Sequence, residues 1–197
     1  VIAEMKKIVP PYVRIMRVQR EIESKDIVAG PKSGNLRQIV LQKLRQEGYS
    51  CRCIRCREAG LQRRYPRTDE VELKRMDYFA SGGREVFLSY ESRDGETILG
   101  FLRLRQVSGP HRKELQGAAI VRELHVYGQV VNVGESAGEE SYQHRGYGTR
   151  LMLEAERVAK EELGAGRIAV ISAVGTREYY KKQLGYQQDG PYVSKVL

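Results

Sequence analysis

The 197-residue chain carries 34 Lys+Arg against 25 Asp+Glu, a formal charge of +9, with 41% apolar and 30% charged residues, the balance of an ordinary soluble globular protein. That length holds one good-sized domain with an appended segment. No apolar run approaches the ~20 residues a membrane helix requires and no signal-peptide pattern opens the chain, so a membrane partner is not expected.

The charge is lopsided. Residues 1–67 hold 16 Lys+Arg and 6 Asp+Glu, whereas residues 68–197 hold 18 and 19. The chain also starts at Val1, in mid-pattern and without a methionine, which suggests a fragment of a longer protein.

In chain order, residues 1–34 open with an apolar and basic stretch around Val9-Pro10-Pro11-Tyr12, continue as a strand-like run over 12–18, and end in a Gly/Pro/Ser-rich loop over 29–34. Asn35 is a suitable N-cap for a helix with Leu36, Ile39, Val40 and Leu44 at helical spacing, and Gly48 supplies its stop. This segment is too short and open to stand as a domain and reads as the tail of a larger one upstream. Its charge excess is mostly arginine. Guanidinium groups bind phosphate bidentately and stack on bases. Arg14, Arg17, Arg20, Arg52, Arg55, Arg57, Arg63 and Arg64 are therefore candidate RNA contacts, with a solvated surface as the plainer alternative.

Cys51, Cys53 and Cys56 are the only cysteines. An odd number packed this tightly makes no secreted disulfide framework and points to a reducing cytoplasm. Their x1 and x2 spacing lets thiolates converge on one Zn2+ at ~2.3 Å, and structural zinc takes four ligands. The fourth would be His111, an acid, another chain or a residue upstream. A three-cysteine iron–sulfur site is the rival, and unligated thiols are the bland reading.

From residue 71 the pattern becomes strand-like, with runs over 71–78, 84–91, 98–107 and 118–127 and a turn over 92–96. A Gly/Ser/Glu-rich loop over 132–141 precedes an amphipathic helix over 148–163, with Leu151, Ala155, Val158, Ala159 and Leu163 on one face. A short buried strand over 167–173, a helix over 176–184 ending at Gly185 and a last strand over 192–196 complete the chain. The order predicts an α/β domain built on one mixed sheet.

Gln143-His144-Arg145-Gly146-Tyr147-Gly148-Thr149 lies between a strand-plus-loop and that amphipathic helix. One glycine permits a tight turn, and the other lets the backbone approach a pyrophosphate oxygen. Free N–H groups and the positive end of the helix dipole then hold the anion. Alone, Gly-x-Gly before a helix is a weak signal. Neither a Walker nor a Rossmann loop fits the context.

The full string resembles the Gln/Arg-x-x-Gly-x-Gly/Ala signature of the GNAT acetyltransferase superfamily, in its expected place after the fourth strand. The resemblance implies the GNAT fold, a mixed and mostly antiparallel sheet flanked by helices. Gln143, Arg145, Gly146, Tyr147, Gly148 and Thr149 would hold the pyrophosphate of acetyl-CoA. Glu123, Leu124, His125 and Val126 would follow the pantetheine arm through their backbone, with one N–H polarising the acetyl carbonyl. Longer strings resemble the family of Elongator catalytic subunits, of bacterial or archaeal type. They are residues 122–128, 168–180, 184–186, Val9-Pro10-Pro11, Arg17-Val18-Gln19-Arg20, Gly34-Asn35-Leu36-Arg37 and Phe87-Leu88-Ser89-Tyr90-Glu91, and together they cover nearly the whole chain.

That family joins a radical-SAM domain to an acetyltransferase-like domain and modifies the wobble uridine of tRNA at carbon 5 to a carboxymethyl-type group. The resemblance implies that residues 1–67 are a basic remnant of the radical-SAM domain and a linker with a zinc-type cysteine motif. Residues 68–197 would be the acetyltransferase domain. The 4Fe–4S cluster and S-adenosylmethionine would belong to the absent upstream domain. Partners would be tRNA, acetyl-CoA and possibly other Elongator-type subunits.

Tyr180, and less strongly Tyr179, would protonate the departing thiolate, because GNAT enzymes place that acid after the fifth strand. Glu123 would be a general base, with a salt bridge to Arg122 or a neighbouring strand as its bland reading. His125 and His144 read as structural. A protein lysine acetyltransferase and a non-catalytic coenzyme A-binding scaffold are the alternatives. The basic first third favours RNA over a basic peptide.

Overall fold

The computed structural model describes residues 1–20, 22–127 and 146–197. The chain divides into two compact units, Val1–Arg63 and Arg64–Leu197.

The first unit contains helices α1 (Ile2–Ile8) and α2 (Leu36–Gln46) and two single turns, α3 (Ile54–Arg57) and α4 (Ala59–Gln62). Ala3, Val40, Leu44, Cys51 and Cys53 form a small core of its own. Helix α2 forms where the spacing predicts, burying Val40 and Leu44 one turn apart. Asn35 stands at its N-cap without a side-chain cap bond. At the other end Gly48 takes φ +75°. The Tyr49 amide donates to the Leu44 carbonyl at 2.9 Å and the Gly48 amide to that of Arg45 at 3.1 Å, the two bonds of a Schellman ending.

The strand expected over 12–18 does not form. The Val13 amide closes a turn on Pro10 at 3.0 Å, and the Val13 carbonyl accepts from the Ile54 amide at 2.9 Å. The Ile15 and Met16 carbonyls accept from the Arg37 guanidinium at 2.8 and 3.0 Å. Backbone groups must find partners somewhere, and here a distant side chain and a lone amide replace a neighbouring strand. The opening residues, read as merely apolar and basic, form α1.

The second unit is built on seven strands: β1 (Val71–Ala80), β2 (Gly83–Ser92), β3 (Ile98–Gln106), β4 (Ala118–Val126), β5 (Arg167–Val170), β6 (Gln187–Asp189) and β7 (Tyr192–Val196). They lie in the order β1-β2-β3-β4-β5-β7-β6. Every neighbouring pair is antiparallel except β4 and β5. The expected mixed, mostly antiparallel architecture is present. Helices α5 (Tyr147–Glu161) and α6 (Arg177–Leu184) accompany it. Leu151, Met152, Ala155, Val158 and Ala159 of α5 pack on Val86, Leu88, Leu102, Leu104, Ala119 and Val121 of the sheet. Each such large aliphatic side chain contributes about 1.5–3 kcal/mol on burial.

Two differences from expectation matter. Strand β5 stops at Val170 rather than 173, and a 3-10 turn over Val174–Thr176 leads into α6. Its register with β4 runs from Ala118↔Arg167 to Val121↔Val170. One last bond follows, from the Ile171 amide to the Val121 carbonyl at 3.1 Å. Strand β4 then continues to Val126 beside β3 alone, so the sheet opens into a notch. The other difference is β6, three residues that turn back onto β7 at Gly190 (φ +56°). Among the described residues no helix is long and apolar enough to cross a membrane.

Candidate functional site

A cleft of about 550 Å³ occupies the notch side of the second unit. Leu124 and Val126 of β4 form one wall, and Gly146, Gly148 and Thr149 at the start of α5 form the floor. Thr176, Tyr179, Tyr180 and Gln183 close it from the α6 side.

The two glycines take separate roles. Gly146 caps α5 with φ +71°, a left-handed conformation costly for any residue with a Cβ. Gly148 is a close-approach position: a Cβ there would lie 3.3 Å from the Tyr179 hydroxyl and 3.5 Å from Val126 Cγ2. The first bond of α5 runs from the Arg150 amide to the Gly146 carbonyl at 3.0 Å. The amides of Gly148 and Thr149 therefore lie ahead of the helix's own ladder, where they can meet an anion.

The adjacent tyrosines differ. Tyr179 places its hydroxyl 3.2 Å from Thr149 Oγ1, at the end of the cleft where α5 starts. Tyr180 is only 6% exposed and meets Tyr186 edge-on at 6.0 Å. Burial, followed by the neighbouring Tyr179, pushes its phenol up to about 12. It therefore stays protonated at neutral pH, as a proton donor must. The same rise makes it a weaker acid toward a thiolate than an unburied phenol.

Several expected residues lie elsewhere. Glu123 and His125 alternate with Leu124 and Val126 and so face the other side of the sheet. Glu123 accepts from Arg103 Nε at 2.5 Å across the strand pair, which realises its bland reading. Arg103 also donates to the Tyr78 hydroxyl at 2.9 Å. His125 packs its ring 5.1 Å from Phe101. Tyr147 is 2% exposed with its ring 4.7 Å from Tyr90, so its side chain belongs to the interior. Gln143, His144, Arg145 and the loop over 132–141 lie outside the described residues. Thr176 and Gln183 were not read as site residues. Their spacing from Tyr179 and Tyr180, one helical turn either way, is the signal that places them on one face.

The first unit holds a separate cluster. The sulfurs of Cys51, Cys53 and Cys56 lie within 4.8 Å of one another, near the ~3.8 Å edge of a tetrahedron with 2.3 Å bonds. Hydrogen bonds from Cys51 and then Cys56 hold the Cys53 thiol well below its usual range, while Cys51 and then Cys53 push the Cys56 thiol up. Such a soft anionic donor set suits Zn2+. His111 belongs to the second unit and the three cysteines to the first. Lys6 does approach, with Nζ 3.3 Å from Cys51 Sγ and 3.7 Å from Cys56 Sγ.

The arginines divide. Arg57 is 2% exposed and donates to the carbonyls of Arg52 and Pro11 at 2.8 and 2.9 Å, which makes it a structural residue rather than a surface contact. Arg14 and Arg55 share Glu58, each at 3.4 Å. Arg64 pairs with Asp94 at 2.6 Å. Arg17, Arg20, Arg52, Arg63 and Arg64 are exposed.

The profile of the Acetyltransferase (GNAT) family matches residues 54–186. Over its whole length the chain is 49% identical to "Elongator complex protein 3" of Saccharomyces cerevisiae and 49% identical to that of Homo sapiens, covering 36% of each. It is also similar to the solved archaeal Methanocaldococcus infernus Elp3 with an N-terminal deletion. There the TM-score is 0.89 and the identity 44%, covering all of this chain and 47% of that one. The chain thus spans about a third of the length of the curated relatives it matches.

Proposed function

We propose, from the premise that the chain belongs to the GNAT acetyltransferase family, that it is the acetyl-CoA-handling part of a tRNA wobble-uridine modification enzyme that installs a carboxymethyl-type group at carbon 5. The observation that carries this reading is the cleft at the parting of β4 and β5, floored by a helix start with Gly146 and Gly148. Similarity over the whole of this chain to proteins named Elongator complex protein 3, of which it spans about a third, supports the substrate class.

In this reading the amides at the start of α5 hold the pyrophosphate, with Gln143 and Arg145 completing the loop. The backbone of Glu123, Leu124, His125 and Val126 runs along the pantetheine. The acetyl group reaches the notch, where a β4 N–H polarises its carbonyl. Tyr179 braces the phosphate end through Thr149. Tyr180 is the candidate proton donor to the thiolate, and Glu123 becomes available as a base only when its pair with Arg103 opens. Cys51, Cys53 and Cys56 hold zinc, which cross-links the loop that carries them. Radical chemistry, with its 4Fe–4S cluster and S-adenosylmethionine, lies outside these residues.

Exposed Arg17, Arg20, Arg52, Arg63 and Arg64 meet the tRNA backbone, helped by Arg14 and Arg55 once released from Glu58. Other Elongator-type subunits are possible partners. A cytoplasmic location suits three unbridged thiols.

The test measures acetyl-CoA binding by calorimetry and thiol release with and without tRNA. Gly148→Glu is expected to reduce acetyl-CoA affinity about 100-fold, because a carboxylate would stand against the pyrophosphate. Unchanged affinity there would sink the cleft assignment. Thiol release driven by a lysine peptide and not by tRNA would replace the RNA reading with a protein acetyltransferase. Binding without any thiol release would leave a coenzyme A scaffold.

A further inference from the structure

Tyr180 lines the cleft although it is only 6% exposed. Among the described residues no hydrogen bond holds its hydroxyl; burial and the neighbouring Tyr179 are what act on it. The aim of that hydroxyl is therefore set by whatever packs on its ring. Tyr179 meets the ring edge-on at 5.2 Å and Tyr186 at 6.0 Å. Tyr186 is tied in further. The chain turns at Gly185 (φ +74°), and the Tyr186 amide donates to the Tyr180 carbonyl at 3.2 Å. The Tyr186 side chain is buried, and its hydroxyl donates to Glu156 Oε1 of α5 at 3.0 Å. Glu156 Oε2 in turn accepts from Lys195 Nζ of β7 at 2.8 Å.

We infer that Tyr186 is a positioning residue for Tyr180: its phenol, fixed by Glu156 and Lys195, holds the Tyr180 ring so that the Tyr180 hydroxyl stays aimed at the acyl end of the cleft. This rests on the reading of Tyr180 as proton donor given above. Edge-on aromatic pairs are directional, so a fixed Tyr186 ring restricts the Tyr180 ring. A phenylalanine would fill the same space, and a carboxylate whose side chain is 12% exposed is costly to hold away from water even when paired. Packing therefore does not account for Tyr186 and Glu156 together. A directed bond does, because it fixes where the ring lies. The same bond joins the end of α6 to the middle of α5. The start of α5 floors the cleft and α6 walls it, so one contact governs both the Tyr180 ring and the gap it faces. Tyr186, Glu156 and Lys195 stand behind the residues that line the cleft. They act through Tyr180, as supporting side chains lock a reacting group without touching the ligand.

The experiment compares wild type, Tyr186→Phe, Tyr180→Phe and the double variant in the 197-residue chain. It follows thiol release from acetyl-CoA, and ring flipping of 13C-labelled tyrosine by NMR. Tyr186→Phe keeps the ring and leaves Glu156 paired with Lys195, so no charge is stranded. It is expected to lower kcat about 10-fold, as small misplacements of a reacting group do, with KM for acetyl-CoA unchanged. Added to Tyr180→Phe it should lose nothing more, because the two act as one unit. The Tyr180 ring should flip faster in Tyr186→Phe than in wild type. A full further loss in the double variant, or KM rising while kcat holds, marks Tyr186 as structural and overturns the inference, while slow Tyr180→Phe keeps the proton donor in place. Unchanged flipping of the Tyr180 ring also overturns it, and decides the question even in a chain that releases no thiol. Wild-type kcat in Tyr180→Phe removes the proton-donor reading and this inference with it.

Discussion

The first unit mixes cations into its interior: Lys6 and Arg57 are at most 2% exposed beside a core whose members include Cys51 and Cys53. In the second unit the buried charged side chains among the described residues are acids, Glu85, Glu91 and Glu114, while aliphatic and aromatic side chains join α5 to the sheet. Its most deeply buried acid, Glu85, is clamped by Arg105 and Arg122. The first unit is small, and hydrophobic burial scales with the surface removed from water. It therefore depends on directed polar contacts, each of which fails sharply when one partner is lost. The second depends on many interchangeable apolar contacts, which fail gradually.

This contrast can be broken at named positions. The largest effect is expected for Leu151→Ala in the α5 core, about 2–5 kcal/mol, read as hydrogen exchange accelerating across β2–β4. Faster exchange throughout the first unit as well would show that the two do not rely on separate interiors. Of comparable size is Arg57→Met, which keeps apolar volume but orphans the Arg52 and Pro11 carbonyls at roughly 1–3 kcal/mol each. Its loss should appear in residues 1–63, and a near-neutral result would mean the first unit is held by apolar packing after all. Smaller still is the change in tRNA binding. Neutralising Arg17, Arg20 or Arg52 singly should lower the slope of log affinity against log salt by about one each, whereas Arg57→Met should leave that slope alone. A fall of the slope with Arg57→Met would restore it as a phosphate contact.

The smallest effect, invisible at neutral pH, concerns Tyr180. Its phenol is raised from the usual ~10 to about 12, so the folded state holds the proton more tightly than the unfolded one. The associated stability is intact below about pH 10 and drains away as pH rises toward 12. Tyr180→Phe should flatten that alkaline decline without altering stability at pH 7. An unchanged alkaline profile would show that the burial of Tyr180 does not control it.

Much of the second unit was legible because its strands alternate and its helices carry apolar faces. Helix α5, with Leu151, Ala155 and Val158, needed only periodicity. The turn at Gly146 was legible, since a left-handed backbone angle is a local demand, whereas the closeness of Gly148 to Tyr179 and Val126 was not, because both partners come from elsewhere in the chain. What escaped was nonlocal. The run over 12–18, rich in β-branched and aromatic residues, reads as a strand, yet its carbonyls are taken by Arg37 and Ile54, which no local pattern announces. The burial of Lys6 depends on sulfurs from a loop far along the chain. The face on which Glu123 lies depends on the β3–β4 register, which shifts between Arg103 and Leu104. Strand β6 is too short and polar for alternation to mark it.

The parting of β4 and β5 after Val121 and Val170 has a further consequence. On its β4 side the notch is edged by main chain, supplied by β4 running on where its parallel neighbour has turned away. Main-chain groups survive every substitution except proline. Residues 122–126 can therefore drift in side chain, and with it in the character of both faces of the strand, while the row of donors and acceptors facing the gap stays fixed. Under the proposed function, that row would serve any acyl thioester, while the side chains of residues 122–126 would be free to change what the far end of the ligand meets.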